Sequence, residues 1–363
     1  MWRWNEVYRV ADLFLEIRSE VGDPTPYLPE QMRGFVRDGT PDLTVDFHED
    51  EEAHADPLRR FFPPRFTLVH GPEGLLFCVS QGGSEPAGGD APGGVHGPRP
   101  LGVIGQSGSG RMGLPPLDRA WRIPEEEEAV REAMQAFVKA CLQLRLLASG
   151  GTMVHAAGVV HGGAGFVLAG HTRAGKTTLS RQFPRDNVLG DDLVAVSARR
   201  GLFHLHGTPW PGREGGAVSY GGVPLRAVFL LHPEGAPGMR RRGSGDSLAE
   251  LAANAPRLGH PGEESKLLDI FSSLVERVPI YELSLGLGED ALPFSTGRWR
   301  KTRIEGVGSR FATSPCGDAV AAGIPWIPSP SLRRTRRAWD IRARRASSWI
   351  FFQAWLSGYR YTS

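Results

Sequence analysis

The sequence lacks any apolar stretch of the roughly 18 residues that a membrane-spanning helix requires. Its first residues, Met1–Glu6, also lack the apolar core of a signal peptide. The three cysteines, Cys78, Cys141 and Cys316, stand far apart and form neither a CxxC pair nor the Cys/His spacing of a metal site. We therefore expect a soluble, cytoplasmic protein with no membrane partner and no disulfide framework.

Excess charge of one sign is also missing, because 42 Lys and Arg residues face 40 Asp and Glu residues and the formal net charge is +2. Composition therefore gives no support for a nucleic-acid partner, whose phosphates attract a clear positive excess. What the chain does have is length and apolar content. Its 363 residues, 40% of them hydrophobic, are enough for two domains with buried cores.

Three regions of the chain differ in pattern. Residues 1–120 carry short apolar runs between Gly, Pro and Asp, which predicts a small β-rich domain with a Gly- and Pro-rich loop at 81–100. Residues 121–293 have the pattern of a second domain, in which helices and strands both occur. Residues 294–363 are rich in Arg, Ser and Pro without a core pattern, so we expect a poorly ordered basic tail, with an arm that binds nucleic acid or a partner as the alternative.

The second region predicts an α/β fold. Pro124 precedes four glutamates, as suits a helix amino terminus, and apolar residues then recur at helical spacing to about Ala148. Compact apolar runs at 153–160 and 166–169 predict two neighbouring strands, and a helix from Lys176 to about Phe183 follows. Further short strands and helices predict a mixed sheet with helices packed on it.

A phosphate-loop pattern, G-x-x-x-x-G-K-[ST], is complete at Gly170–Thr177, between a predicted strand and a predicted helix. In such a loop backbone N–H groups surround phosphate oxygens, the lysine neutralises the outer phosphates and the hydroxyl binds Mg²⁺. The pattern therefore predicts that the chain binds ATP together with Mg²⁺. The predicted nucleotide-binding residues are Gly170, His171, Thr172, Arg173, Ala174, Gly175, Lys176, Thr177 and Thr178.

A second glycine-rich run, Gly105–Met112, has a similar outline. It carries Arg111 where the pattern needs lysine and Met112 where it needs a hydroxyl, and two prolines shortly after it exclude a following helix. We expect this run to be a turn without a binding role.

Two adjacent carboxylates, Asp191 and Asp192, follow a short apolar run soon after the phosphate loop. In a phosphate-loop protein one strand-end carboxylate can hold Mg²⁺ through the loop hydroxyl, and another can take the proton of an attacking hydroxyl. Neighbouring strand residues point to opposite faces, so the two carboxylates need different roles. A solvated Asp-Asp turn is the alternative.

The run Met153–Val160, the phosphate loop and the run Leu189–Val194 together resemble the catalytic domain of HPr kinase/phosphorylase and its shorter relatives. That family shares a nucleotide-binding core with ATP-dependent phosphoenolpyruvate carboxykinases. The resemblance covers roughly residues 120–290 and is specific between 153 and 196. It implies an HPr kinase-like mixed sheet with helices, and a Mg-ATP-dependent kinase that phosphorylates a Ser or Thr hydroxyl.

Residue roles follow from the resemblance by position. His155 corresponds to the active-site histidine of the family, although a lone histidine on an apolar strand can also be a core residue. Lys176 and Thr177 correspond to the phosphate and metal contacts. Asp191 takes the place of the catalytic base and Asp192 that of the metal-binding carboxylate.

The resemblance fails at the segment that would recognise HPr. The family's Glu-x-Arg-Gly segment is not evident, and Leu205–Gly212 stands in its place, so the implied acceptor is another protein or peptide. Its Gly-Thr-Pro-Trp part is similar to HPr-kinase-related proteins found beside peptide-modification genes. His206 and Trp210 either line an acceptor pocket or pack a turn.

Two other functions and the oligomeric state stay open. A small-molecule or carboxykinase-like enzyme would need anion-binding arginines, for which Arg213 and Arg226 are candidates. A non-catalytic nucleotide-binding partner in a peptide-maturation complex is the other alternative. The resemblance leaves a homo-oligomer open as well.

Overall fold

The structure is a computed structural model, and it describes residues 1–50, 65–80, 99–118, 124–210, 212, 222–233, 238–259 and 262–284. The expected basic tail at 294–363, most of the expected loop at 81–100, and Arg213 lie outside the described residues. Within the ranges given, no helix is both long and apolar enough to cross a membrane.

The first part of the chain forms a sheet of seven strands in the order β1-β2-β3-β7-β6-β5-β4. Strand β3 pairs in parallel with β2 and β7, and the other neighbours are antiparallel. Every second side chain of β2 is buried, as expected for a sheet with one face on a core. The strands are β1 (Trp4–Val10), β2 (Leu13–Ser19), β3 (Leu43–Glu49), β4 (Arg65–Gly71), β5 (Gly74–Ser80), β6 (Arg99–Ile104) and β7 (Gly110–Leu114).

The predicted β-rich character of this region is confirmed, with two differences of detail. The first apolar run of the sequence, at 7–18, is divided between two strands by a turn at Ala11 and Asp12, both of which have positive φ. The run Gly105–Met112 is a turn only as far as Ser109, because its last residues pair with β6 as part of β7. Strands β6 and β7 thus lie in glycine-containing sequence without an alternating apolar pattern.

A long helix, α1 (Pro124–Ala148), is buried between two groups of strands and confirms the predicted bounds. The ring of Phe137 lies edge-on to that of Phe77, with 5.2 Å between centroids. The same hydrophobic cluster also includes Met153 and Leu193 from the strands that follow α1. This helix is therefore shared by the cores of both parts of the described chain.

The strands that follow α1 form a second, eight-stranded mixed sheet. Strand β8 pairs with β9 and β11, β11 with β12, β12 with β13, and β13 with β9, so five strands form a closed circuit of pairings. The strands are β8 (Gly151–His161), β9 (Ala164–Ala169), β10 (Val188–Gly190), β11 (Leu193–Arg199), β12 (Leu202–Gly207), β13 (Val223–His232), β14 (Gly238–Arg241) and β15 (Ile280–Ser284). The helices are α2 (Lys176–Ser180), α3 (Ser244–Ala253) and α4 (Glu263–Arg277).

Three parallel strands of this sheet, β9, β13 and β15, end at the same edge. In α/β sheets the carboxyl ends of parallel strands are where ligands bind, and the run Gly170–Thr177 leaves β9 there. The predicted mixed α/β architecture is confirmed. Helix α2 is shorter than predicted, because Gln182 and Phe183 make i→i−3 hydrogen bonds that end it at Ser180.

Candidate phosphate-binding site

The loop between β9 and α2 is tightly folded, and glycine is required at two of its positions. A Cβ on Gly170 would lie 2.9 Å from the Cβ of Ala174 and 3.0 Å from the carbonyl oxygen of Leu231, so the loop is packed against the end of β13. Gly175 has a φ of 95°, which L side chains rarely adopt. The backbone is thus turned back on itself, as a loop that surrounds an anion requires.

Lys176 lies at the centre of this loop, with only 7% of the residue exposed. Its ammonium donates hydrogen bonds to the carbonyl oxygens of Gly170, at 2.7 Å, and His171, at 3.1 Å. Burial lowers the pKa of Lys176, and the carboxylates of Asp192 and Asp191 oppose that change. The arrangement therefore holds a cation beside the loop, with carboxylates close enough to act on it.

Thr177 and Asp191 are in direct contact, since the Thr177 hydroxyl donates to Asp191 Oδ2 at 3.0 Å. Two neighbouring ligands of an octahedral Mg²⁺ at about 2.1 Å stand about 3.0 Å apart, so this pair has the spacing of two Mg²⁺ ligands. Among the residues that the structure describes, no group of three or more His, Cys, Asp and Glu could hold a metal. A phosphate-loop Mg²⁺ does not need one, because phosphate oxygens and waters complete its coordination.

Asp192 contacts the predicted active-site histidine instead, with 3.1 Å between His155 Nδ1 and Asp192 Oδ1. The two meet because His155 on β8 stands opposite Leu193 on β11. Partial removal from water raises the pKa of the Asp192 carboxyl group. The hydrogen bond from His155 and the charges of His155, Lys139 and Lys176 have the larger combined effect, so the pKa is lowered. Asp192 is the exposed carboxylate of the pair and Asp191 the buried one.

The predicted site residues thus come together, but the contacts favour a different division of roles. The predicted metal contact, Thr177, bonds to Asp191, which was expected to be the base. The predicted metal carboxylate, Asp192, lies with His155 at the exposed side. Sequence spacing could not distinguish the two, because side-chain direction at the end of β10 depends on the turn that the chain makes there.

Of the two residues considered for an acceptor pocket, His206 packs a junction between the sheets. It is 1% exposed, its Nε2 lies 2.8 Å from the Ser197 hydroxyl, and Asp12 of the first sheet lies 3.7 Å away. Burial lowers the His206 pKa to about 4, an effect that Asp12 opposes and His204, Arg9 and Arg199 reinforce. His206 is therefore neutral at pH 7, and its contact with Asp12 is not an ion pair.

Because His206 is buried in its neutral form, we predict that the protein loses stability in acid. The folded-state pKa of His206, about 4, is below its unfolded value of about 6.5, so the unfolded chain binds the proton more readily. The contribution of His206 is full above about pH 6.5 and falls by about 2 kcal/mol as the pH is lowered to about 4.5. Denaturant unfolding at both pH values measures it. In His206→Gln, which does not titrate, this part of the loss should disappear; equal losses in both proteins would contradict it.

Trp210, the second of the two residues, contacts Lys139, a residue that the sequence analysis did not select. Lys139 of α1 is 5% exposed and its ammonium lies 5.5 Å from the centre of the Trp210 ring. The available signal was a lysine within the apolar stretch Phe137–Cys141 of a helix. Spacing along the chain gave no reason to join it to Trp210, 71 positions later.

No protein-family model matches this chain, and no curated protein matches it. The phosphate-binding interpretation accordingly stands on the residues and on their geometry. The likeness to HPr kinases stays a prediction from the motifs.

Proposed function

We propose that the protein is a Mg-ATP-dependent kinase of the HPr kinase-related type, which phosphorylates a Ser or Thr hydroxyl of a protein or peptide. The observation that carries the proposal is the 3.0 Å contact between the phosphate-loop hydroxyl of Thr177 and the strand-end carboxylate of Asp191. A glycine-rich turn with only a structural role does not require a carboxylate beside its hydroxyl. A site for Mg²⁺ and phosphate uses both groups.

The residues divide into two sides. On the nucleotide side, the loop and Lys176 hold the phosphates, and Thr177 with Asp191 holds Mg²⁺. When bound, Mg²⁺ supplies positive charge that neutralises the outer phosphates. On the acceptor side, Asp192 with His155 faces the solvent from which a hydroxyl would arrive.

The transfer itself follows from this arrangement. The acceptor oxygen forms a bond to the γ-phosphorus while the bond from that phosphorus to the β–γ bridging oxygen breaks, which leaves ADP. Asp192 accepts a hydrogen bond from the attacking hydroxyl, orients it and takes its proton, and His155 fixes the carboxylate for that task. Lys176 stabilises the charge on the transferring group.

The decisive experiment combines the purified protein, γ-labelled ATP and an extract of its own cells, followed by identification of the labelled product. Label on a Ser or Thr of a protein or peptide is the expected result. Label in a small metabolite would instead support a small-molecule kinase. Tight Mg-ATP binding without label in any product would support a non-catalytic partner and overturn the proposal.

Gly212 offers a test of the Thr177–Asp191 pair in which neither of those two residues is itself replaced. Gly212 has a φ of 92°, and a Cβ there would lie 2.2 Å from Asp191 Oδ1. Gly212→Ala should cost about 1–2 kcal/mol of stability for the left-handed backbone and also turn the Asp191 carboxylate away from Thr177. We expect about tenfold weaker binding of ATP in the presence of Mg²⁺ and little change without it, measured by calorimetry.

Gly150→Ala is the matched control for this variant. Gly150 also has a left-handed backbone, with a φ of 78°, but a Cβ there would meet nothing within 4 Å. It should lose only the stability that the left-handed backbone accounts for, and keep normal Mg-ATP affinity. If both variants bind Mg-ATP alike, Asp191 does not act on the metal.

A further inference from the structure

Lys139 is an unusual choice for the middle of a buried helix. Its residue is 5% exposed, and placing an ammonium in a protein interior costs several kcal/mol unless other charges compensate. Methionine would fill a similar volume without that cost. The chain also uses lysine sparingly, since only four of its 42 basic residues are lysines: Lys139, Lys176, Lys266 and Lys301.

The Trp210 ring, over which the Lys139 ammonium lies, is tied to the carboxylate pair by a short segment. The Thr208 hydroxyl donates to the carbonyl oxygen of Leu193, directly after the pair, at 2.8 Å, and the backbone N–H of Trp210 donates to that hydroxyl at 3.3 Å. Gly212 then passes so close that a Cβ on it would lie 2.9 Å from the Asp192 Cβ. The residues on either side of Trp210 along the chain thus contact the carboxylate pair or its neighbour, and Lys139 lies over the Trp210 ring.

The charges of the two lysines act on the same carboxylate. Lys139 from α1 and Lys176 from the phosphate loop are both near enough to Asp192 for their charges to act on its carboxylate. Burial lowers the pKa of Lys139 to about 8, against the opposing effects of Asp192 and of Glu132, which lies two turns earlier on α1. The ammonium is thus still charged at neutral pH.

We propose that Lys139 is a second phosphate-binding lysine, which contacts the terminal phosphate of the bound nucleoside triphosphate from the α1 side of the site. This inference rests on the proposed function, in which Asp192 receives the acceptor hydroxyl beside that phosphate. A cation held at Asp192 is then also beside the transferring group. Negative charge on the phosphoryl oxygens is met by Lys176 from the loop and by Lys139 from the helix.

The test compares nucleotides that differ only in that phosphate. Lys139→Met should bind Mg-ATP about tenfold or more weakly, because it loses a hydrogen bond between charged groups, and should bind Mg-ADP within about twofold of wild type. Lys139→Arg, which keeps the charge, should recover much of the Mg-ATP affinity. Lys139→Gln gives the same comparison should the methionine variant fail to fold, and Lys266→Met, on the exposed face of α4, is the control.

A structural role for Lys139 predicts a different pattern. If its loss weakens Mg-ATP and Mg-ADP equally, or neither, Lys139 does not contact the terminal phosphate and the inference is overturned. The proposed function survives that result as long as Lys176→Ala weakens both nucleotides. If wild type binds neither nucleotide, the proposed function falls and the inference falls with it.

Discussion

Replacing Lys176 with alanine is expected to weaken the binding of Mg-ATP on the order of 10²-fold. The ammonium is buried and now bonds the carbonyl oxygens of Gly170 and His171, so it is already held where a phosphate would lie over the loop. Removing one side of a buried, charge-assisted contact costs about 2–5 kcal/mol. Calorimetric titration of the purified variant with Mg-ATP measures the change directly.

Two further variants separate lost charge from lost packing. Lys176→Met keeps most of the side-chain volume and should bind as weakly as Lys176→Ala. Lys266→Ala removes an exposed lysine of α4 and should bind as well as wild type. An unchanged affinity in both Lys176 variants would show that Gly170–Thr177 does not bind phosphate.

The second large effect is expected from replacing Asp191 or Asp192, and the two replacements should change different measured quantities. Asp192→Asn should slow transfer of label to the acceptor by about 10²–10³-fold and change Mg-ATP affinity by less than about tenfold, because this carboxylate is the one proposed to take the proton of the hydroxyl. Asp191→Asn should weaken binding mainly when Mg²⁺ is present, because this carboxylate bonds Thr177. Rates are measured with labelled ATP, and affinities with and without Mg²⁺.

The opposite pattern has a clear meaning. If Asp191→Asn abolishes transfer with normal Mg²⁺ dependence, and Asp192→Asn abolishes the Mg²⁺ dependence, the assignment that follows the family resemblance is right. If Asp192→Asn transfers label at the wild-type rate, no carboxylate base acts at that position. Transfer that continues unchanged in both variants contradicts the proposed mechanism as a whole.

Much of the fold was predictable because the signals were local. The proline and glutamates before Val130 and the apolar spacing after it fixed α1 from Pro124 to Ala148. Alternation and compact apolar runs located most strands, including β8 and β9 on either side of the phosphate-loop approach. The loop itself follows from the order strand, glycines, lysine and helix, which is set by neighbours in sequence.

The remaining features depend on contacts between distant residues. The placement of Lys139 beside Asp192 requires α1 to be packed between the sheets, and no spacing along the chain encodes that. The partner of Thr177 depends on the direction of one side chain at a turn. Strands β6 and β7 were not predicted because their sequences, which contain glycines, show no alternating apolar pattern. Pairing with neighbouring strands stabilises them instead.

Helix α1 lies in one hydrophobic cluster with the first sheet and with Met153 and Leu193 of the second sheet. Neither half of the described chain can expose this helix without removing apolar contacts from the other, so the two are expected to unfold as one cooperative unit. A ligand that binds only the folded loop then also protects the distant β-strands against opening. For a chain that binds nucleotide as proposed, nucleotide concentration is therefore expected to control the lifetime of the described fold.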